Sequence, residues 1–127
     1  MLFRSPMTVT EEITARYLAV FHEPDPAARE AAVAGLWSAD ARLCTAANDY
    51  AGRDAITCRV TLAHEKFIAE QRMVFRPLGP AEEHHDGLRI RWEMAPAAGG
   101  DAVSGGTQFL LLDSDGRIRI DYQFTDF

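Results

Sequence analysis

Tyr17 is the side chain of this sequence best suited to catalysis by hydrogen bonding. It lies on an apolar stripe that Ile13, Val20 and Phe21 form at helical spacing. A phenol on such a face is a hydrogen-bond donor in water-poor surroundings, where it can polarise a carbonyl group. A core aromatic residue with a polar tip fits the same pattern, so both interpretations stay open at this point.

Two further positions, His64 and His84, could move protons near neutral pH. His64 shares a helical face with Ile56, where a neutral imidazole could act as a base or orient a ligand. A hydrogen-bonded core histidine, or one at the mouth of a cavity, would look the same. His84 begins the run His84-His85-Asp86 before an alternating strand, so regular extension would place it on the apolar face. A solvated strand start is favoured there, because four polar residues precede the apolar run.

The same histidine-rich run contains ligand types that bind zinc or iron. Consecutive strand residues point to opposite faces, however, and adjacent histidines rarely chelate one ion. The sequence has no C-x-x-C or H-x-x-x-H spacing and no glycine-rich phosphate loop. We therefore expect no metal and no cofactor.

Asp121 is the carboxylate whose orientation matters most for acid–base chemistry. The last predicted strand alternates between one set that contains Ile118, Ile120 and Tyr122 and a second set that contains Asp121. Hydrophobicity predicts that the first set faces inward. A β-bulge would shift the alternation by one residue and could turn the second set inward instead. If Asp121 faces a pocket, it is the best carboxylate available for proton transfer.

Three helices are predicted in the first half of the chain. Thr8 and Glu11 form a capping box at the start of the first helix. Asp25 is a good N-cap and Pro26 suits the first position of the second helix.

The apolar face of the second helix is predicted to contain Val33, Leu36 and Trp37. Residues 48–52 are predicted to form a loop. The third helix is predicted over residues 53–70.

Alternating apolar and charged residues replace the helical spacing after residue 71. The predicted strands cover residues 42–46, 72–78, 86–94, 103–112 and 117–124. Helices at the front of a chain and hairpin-linked strands at the back indicate an α+β arrangement. We expect one domain over residues 1–127, with residues 1–7 as a loose N-terminal tail.

The composition excludes several classes of function. A net charge of −6 without a basic cluster argues against nucleic acids and anionic membranes as partners. No apolar stretch is long enough to span a bilayer, and no secretory signal is visible, so a cytoplasmic location is expected. Cys44 and Cys58 have no metal-binding spacing and are expected to be buried reduced thiols.

Five short motifs, in their order and spacing, resemble the nuclear transport factor 2-like superfamily, which includes ketosteroid isomerases and SnoaL-like polyketide cyclases. The motifs lie at residues 15–17, 38–41, 52–56, 91–94 and 112–118. The resemblance covers about residues 8–127. It implies a cone-shaped, curved antiparallel sheet packed on three N-terminal helices around a pocket. One fold hosts many activities, so the resemblance is a poor guide to function.

The ketosteroid isomerases allow a comparison position by position. Tyr17 matches that family's oxyanion-hole tyrosine, Thr45 stands where the aspartate base would be, and Gln108 stands at the second oxyanion donor. A threonine hydroxyl is no base near neutral pH, so steroid isomerisation by that mechanism is not expected. Gln108 can still donate through its amide and is the expected partner of Tyr17. The same comparison, made without gaps, turns Asp121 inward.

The resemblance implies a largely apolar pocket with side chains from every part of the chain. The expected ligand-binding residues are Trp37, Thr45, Tyr50, Ile56, Val60, Phe67, Ile90, Trp92 and Gln108. The catalytic candidates are Tyr17, His64, His84 and Asp121. The expected function is binding of a small hydrophobic carbonyl compound and its conversion by isomerisation or cyclisation; a non-catalytic ligand-binding or dimerisation module is the alternative.

The outer face of the sheet suggests how two copies could associate. Arg89, Arg91 and Glu93 alternate with the apolar residues of one predicted strand. Mixed charges on an exposed face can pair across a two-fold axis. The resemblance implies pairing through this face of the curved sheet, so a homodimer is expected.

Overall fold

The computed structural model describes residues 8–127, and the predicted tail at residues 1–7 lies outside the described residues. Three helices come first: α1 is Val9–His22, α2 is Pro26–Leu36 and α3 is Arg53–Ala63, which continues as a π-helix over His64–Glu70. The strands are β1 Trp37–Cys44, β2 Asp49–Ala51, β3 Met73–Pro77, β4 Glu82–His84, β5 Gly87–Pro96, β6 Ser104–Leu112 and β7 Ile118–Thr125.

Within residues 8–127 the seven strands form one curved sheet in the order β2-β1-β7-β6-β5-β3, with β4 also paired to β5. The helices and this sheet confirm the α+β fold. All strand pairs are antiparallel except β1 with β7, which run parallel. This parallel pair joins strands that are distant in sequence, and no local pattern indicated it.

The predicted helix starts are confirmed by their capping contacts. Glu11 N donates to Thr8 Oγ1 at 3.1 Å, and Thr8 N donates back to the Glu11 carboxylate at 3.2 Å. At α2, Ala28 N donates to Asp25 Oδ2 at 2.8 Å, with Pro26 in the first turn. These contacts satisfy amide groups that would otherwise lack partners at the two helix starts.

Several predicted boundaries are corrected by tertiary pairing. Trp37 does not lie on the face of α2, because it opens β1 and pairs with Ile118 of β7. The predicted loop at residues 48–52 contains β2, where Arg42 and Asp49 form an ion pair of 2.8 Å. The short strand β4 was not predicted at all.

The expected burial of both cysteines is wrong. Cys58 is exposed and Cys44 is half-buried, and both are free thiols in the described part of the chain. Cys58 lies on α3 between Ile56 and Val60, which both point into the core. Residues two apart on a helix lie on different faces, so Cys58 is turned outward.

The core lies between the helices and the concave face of the sheet. Leu88 and Ile90 of β5 are buried, whereas Arg89 and Arg91 are exposed, as their alternation predicts. No helix among residues 8–127 has the length and apolar character needed to cross a membrane. The other fully buried apolar residues include Val33, Leu36, Trp37, Ala41, Leu43, Ile56, Val60, Ala95, Leu110 and Ile118.

Histidine side chains attach the end of α1 to its neighbours. His22 Nδ1 donates to Leu18 O at 2.8 Å, and His22 Nε2 accepts from Phe75 N of β3 at 3.0 Å. His64 Nδ1 donates to Phe21 O at 2.7 Å. The two contacts that leave α1 hold its last turn against both the sheet and the π-helix.

Gly106 gives Trp92 the space to lie flat across β6. The two residues are register partners in β5 and β6. A Cβ atom at Gly106 would lie 2.6 Å from Trp92 Cζ2 and 2.5 Å from Phe124 O. Real Cβ atoms do not approach a ring or a carbonyl so closely, so any side chain at this position must displace the indole.

We predict that Gly106→Ala lowers the free energy of unfolding by about 1–3 kcal/mol, because overpacking forces the neighbours apart. Chemical denaturation measures the change. Gly35→Ala in α2 is the matched control, since its Cβ meets only the flexible end of Arg16 at 3.3 Å. The control should be neutral or stabilise by up to about 1 kcal/mol. Equal stability of the two variants would contradict the prediction.

Candidate functional site

A buried polar cluster of Tyr17, Gln108 and Asp121 joins α1 to β6 and β7. Tyr17 Oη donates to Asp121 Oδ2 at 2.7 Å. Gln108 Nε2 donates to Asp121 Oδ1 at 2.6 Å and to Tyr17 Oη at 2.8 Å. The predicted contact between Tyr17 and Gln108 is therefore present, with a carboxylate as the third member. All three side chains are at most 3% exposed.

A β-bulge turns Asp121 inward and answers the question that the sequence left open. Leu112 pairs with Ile118 and Leu111 pairs with Ile120, so one step in β6 matches two in β7. The extra residue shifts the alternation. Ile118 and Asp121 are consequently both fully buried, while Tyr122 is 38% exposed. Asp121 rather than Tyr122 faces the interior.

Two tryptophans complete the surroundings of the cluster. Trp92 Nε1 donates to Gln108 Oε1 at 3.0 Å, which fixes the amide so that its nitrogen faces Tyr17 and Asp121. Trp37 is fully buried, and its ring centroid lies 5.4 Å from that of Tyr17. Its Nε1 lowers the pKa of Asp121 but makes no well-aligned hydrogen bond within residues 8–127.

Burial dominates the electrostatics of this cluster. Removal from water raises the pKa of Asp121 from 3.8 to about 7, against the opposing effects of hydrogen bonds from Tyr17 and Gln108. Burial, followed by the nearby Asp121 charge, raises the pKa of Tyr17 well above its ordinary value. Tyr17 is therefore a neutral phenol, and Asp121 is the group that titrates near neutral pH.

The protonation of Asp121 decides what Tyr17 offers to a ligand. When Asp121 is ionised, the Tyr17 proton and both amide protons of Gln108 are engaged within the cluster. When Asp121 is protonated, its carboxyl group can donate to Tyr17, and the phenol proton can turn toward a ligand. The cluster can thus act as a hydrogen-bond acceptor or as a donor.

Tyr17 and Gln108 form the polar end of an apolar cavity. The cavity volume is about 60 Å³, and the cavity is open to solvent on one side. Asp121 does not line this cavity and reaches it only through Tyr17 and Gln108. The remaining lining residues are Leu18, Phe21, Arg59, Ala63, Phe67, Phe75, Trp92 and Gln123.

Arg59 of α3 was missed by the sequence analysis. It lines the cavity, and its charge lowers the pKa of both Tyr17 and Asp121. Its guanidinium carbon lies 5.8 Å from the centroid of the Tyr50 ring, within the range of a cation–π contact. The available signal was its spacing from Ala63, four residues later on the same helix.

Of the other catalytic candidates, His64 is buried next to the cavity but does not line it, because its imidazole is hydrogen-bonded to Phe21 O. The placement of His84 on the pocket side is wrong. Its side chain is exposed on the edge strand β4, and its Nδ1 lies 3.3 Å from that of His85. Neither histidine contacts Asp121 through a hydrogen bond.

The expected pocket walls divide into three groups. Phe67 and Trp92 line the cavity with Gln108. Trp37, Ile56, Val60 and Ile90 are fully buried and form the core behind it, because α3 and β5 point them toward the centre of the protein. Tyr50 is half-buried below Arg59 and does not line the cavity.

Thr45 does not line the cavity beside Tyr17, which corrects the expectation from the isomerase comparison. It lies after the end of β1, and its Oγ1 accepts a hydrogen bond from Asn48 N at 3.1 Å. The carboxylate nearest the polar end of the cavity is instead Asp121. Over residues 8–127, no group of three or more His, Cys, Asp or Glu side chains is placed to hold a metal ion.

Comparisons with known proteins show which solved structures this fold resembles. No protein-family model matches the sequence, and no curated protein matches it. Among solved structures, a protein of the SnoaL-like family from Agrobacterium tumefaciens strain C58, provisionally described as an isomerase, is 28% identical. The match covers 95% of this chain and 100% of that chain, with a TM-score of 0.85.

Two more distant structures share the fold. A protein from Sinorhizobium meliloti, provisionally described as a polyketide cyclase, is 18% identical over 93% of this chain and 100% of its own, with a TM-score of 0.68. An NTF2-like protein of unknown function from Mesorhizobium loti is 20% identical over 97% and 98%, with a TM-score of 0.67. These matches confirm the resemblance to the nuclear transport factor 2-like superfamily.

We predict that Asp121 makes stability fall as pH rises from about 4 to about 7. In this interval the native carboxyl group holds a proton that the unfolded chain has released, and above about 7 both states are ionised. The slope from this group approaches 1.4 kcal/mol per pH unit, the free energy equivalent of one pKa unit. Asp121→Asn should therefore become more stable relative to the wild type as pH rises.

Urea denaturation from about pH 5 to about pH 8 tests this expectation, because the difference between wild type and variant cancels the other titrating groups. Asp115→Asn, at an exposed turn position, is the control and should follow the wild-type curve. A constant difference between wild type and Asp121→Asn at all pH values would show that Asp121 does not titrate in this range.

Proposed function

We propose that this protein is an enzyme of the isomerase or cyclase type that acts on a small hydrophobic carbonyl compound. The observation that carries the proposal is a buried carboxylate, with a pKa raised to about 7, hydrogen-bonded to a phenol at the polar end of an apolar cavity. Catalytic acids and bases work best when their pKa lies near the working pH. The structure that is 28% identical and provisionally described as an isomerase supports the same class.

The geometry suggests a proton relay in which Tyr17 contacts the substrate and Asp121 stands behind it. With Asp121 protonated, Tyr17 donates to the carbonyl oxygen while the carboxyl group donates to Tyr17. If the substrate oxygen takes the phenol proton while a solvent water molecule takes the α-proton, the substrate becomes an enol. Tyr17 then regains a proton from Asp121, and the negative charge ends on the carboxylate. The reverse transfer restores the acid. Gln108 orients both partners through its two N–H bonds.

The apolar walls suit the body of such a substrate. Phe67, Phe75 and Trp92 line the cavity, and the Phe75 ring meets the other two edge-on at 6.0 Å and 5.6 Å. Contact with these rings would contribute roughly 25 cal/mol to the binding free energy for each Å² of apolar ligand surface removed from water. A bound apolar ligand that excludes water would also strengthen the hydrogen bonds to its carbonyl oxygen.

A non-catalytic ligand-binding module is the second candidate, and one observation favours it. Asp121 does not line the cavity, so no carboxylate of residues 8–127 is in direct contact with a bound molecule there. Under this alternative, the cluster orients the ligand oxygen without transferring a proton. Binding without turnover distinguishes the two candidates.

The proposed activity predicts that the protein catalyses exchange of α-hydrogens in a small phenyl-substituted ketone such as 4-phenylbutan-2-one. NMR in deuterated buffer near pH 7 measures the exchange. Tyr17→Phe and Asp121→Asn should lower the rate by about 10²–10⁴-fold, as expected for the loss of an acid–base group. Tyr122→Phe, which alters the exposed tyrosine next to Asp121, is the matched control and should retain the rate. Ketone binding without exchange would favour the binding module.

We also propose that two copies associate through the outer sheet face. Phe109 and Tyr122 are register partners there and are 40% and 38% exposed, and Phe124 nearby on β7 is 58% exposed. Arg89 and Arg91 of β5 lie beside these aromatic side chains. Exposed aromatic patches with a charged rim are typical of protein interfaces, and self-association is the simplest way to cover one.

Light scattering at micromolar concentration should therefore give a particle of twice the chain mass. Phe124→Glu should yield a folded monomer, because it places a charge in the proposed interface. Leu62→Glu introduces the same charge on α3, where Leu62 is 56% exposed, and should leave the dimer intact. A wild-type monomer would overturn this proposal.

A further inference from the structure

Arg59 carries the only formal charge among the cavity-lining residues of the described chain. The other members of the lining are apolar, or are neutral hydrogen-bonding groups such as Gln123. Partial removal from water is costly for a charge without a partner. A single cation in a cavity without any other charge therefore suggests that an anion binds there.

Five other arginines of the described residues have identifiable polar partners. Arg42, Arg76 and Arg89 each form an ion pair with a carboxylate. Arg29 and Arg53 donate to backbone carbonyl groups. Five more have no such partner within residues 8–127 but are exposed to solvent: Arg16, Arg72, Arg91, Arg117 and Arg119. Arg59, in contrast, is half-buried. It has neither kind of contact within residues 8–127, and its recorded neighbour is the ring of Tyr50 at 5.8 Å. A guanidinium held on one face by an aromatic ring keeps its edge N–H groups for a further acceptor.

We propose that Arg59 is an anion subsite and that the cavity takes hydrophobic ligands with a carboxylate group. The inference deepens the proposed function and rests on it, because it names the substrate class of the same cavity. The apolar body of the ligand lies against Phe67, Phe75 and Trp92, its carbonyl oxygen faces Tyr17, and its carboxylate pairs with Arg59. The planar fork of a guanidinium matches a carboxylate through two parallel hydrogen bonds.

The proposed subsite is coupled to the acid–base cluster. The Arg59 charge lowers the pKa of Asp121, so a ligand carboxylate that offsets this charge makes Asp121 hold its proton more tightly. Near pH 7 the binding of an acid should therefore be accompanied by proton uptake, which leaves Tyr17 free to donate. The charged and hydrogen-bonding groups that act on Asp121 from the surrounding elements are Tyr17, Trp37, Cys44, Arg59 and Gln108.

The test compares two probes that differ in one charge, 4-oxo-4-phenylbutanoate and its methyl ester. Calorimetric titration of the full chain near pH 7 should show about 10- to 100-fold tighter binding of the acid, the range expected for a hydrogen bond between charged groups. In buffers of different ionisation enthalpy, the acid should take up a fraction of a proton and the ester should not. Both readouts report on Arg59 and not on the apolar walls.

Arg59→Met keeps the length and apolar stem of the side chain but removes its charge. The variant should lose the preference for the acid and the proton uptake while it still binds the ester, which also shows that it is folded. Arg117→Met, which removes an exposed arginine of the turn between β6 and β7 outside the cavity, is the matched control and should keep both.

The possible outcomes distinguish failure of the anion subsite from failure of the proposed function. Equal affinity of wild type for both probes, or an acid preference that survives in Arg59→Met, overturns the anion subsite and leaves the proposed function standing. Failure of both probes to bind the wild type overturns the subsite together with the proposed pocket.

Discussion

A carboxylate in the interior of a protein has to be hydrogen-bonded, and this requirement governs the arrangement around Asp121. Leaving an ionised carboxylate unpaired in such surroundings costs several kcal/mol. Tyr17 and Gln108 meet the requirement with bonds of 2.7 Å and 2.6 Å from two different elements. Trp92 in turn holds Gln108. One contact between α1 and the sheet, and the hydrogen bond that Trp92 donates, thus belong to the network around this buried group.

Even with these partners, the balance between burial and hydrogen bonding leaves the Asp121 pKa near 7. A fully satisfied structural carboxylate would normally have a lowered pKa, as the exposed Asp49 does beside Arg42. Asp121 therefore changes its charge near neutral pH, and its ionisation inside the protein does not stabilise the fold. Titratable groups of this kind are concentrated at functional sites.

The π-helix that follows α3 contacts both α1 and the cavity beside Tyr17. Gln71 N donates to Lys66 O, five residues earlier, so the last turns are wider than those of an α-helix. Short π-helical segments occur frequently at functional sites. Here the segment begins at His64, which contacts α1, and carries Phe67 to the cavity. One segment thus holds the first helix and forms a wall of the pocket.

Local patterns in the sequence predicted what depends on neighbouring residues. The capping box at Thr8 and the cap at Asp25 set the helix starts, and the alternation in β5 buried Leu88 and Ile90. The apolar stripe of α1 was enough to turn Tyr17 inward, and the resemblance in motif order added Gln108 as its partner. These inferences succeed because a helix or strand imposes its own periodicity on exposure.

Long-range pairing decided the rest. The face on which Asp121 lies depends on a bulge between β6 and β7, which is a property of two strands together and not of either alone. Trp37 opens a strand because β7 is there to pair with it in parallel. Arg59 belongs to a long, charged residue type that sequence places in solvent, and only the packed sheet and Tyr50 make it part of a cavity. The sequence alone therefore determined the fold class and the inward tyrosine, whereas tertiary contacts determined which carboxylate and which cation stand beside it.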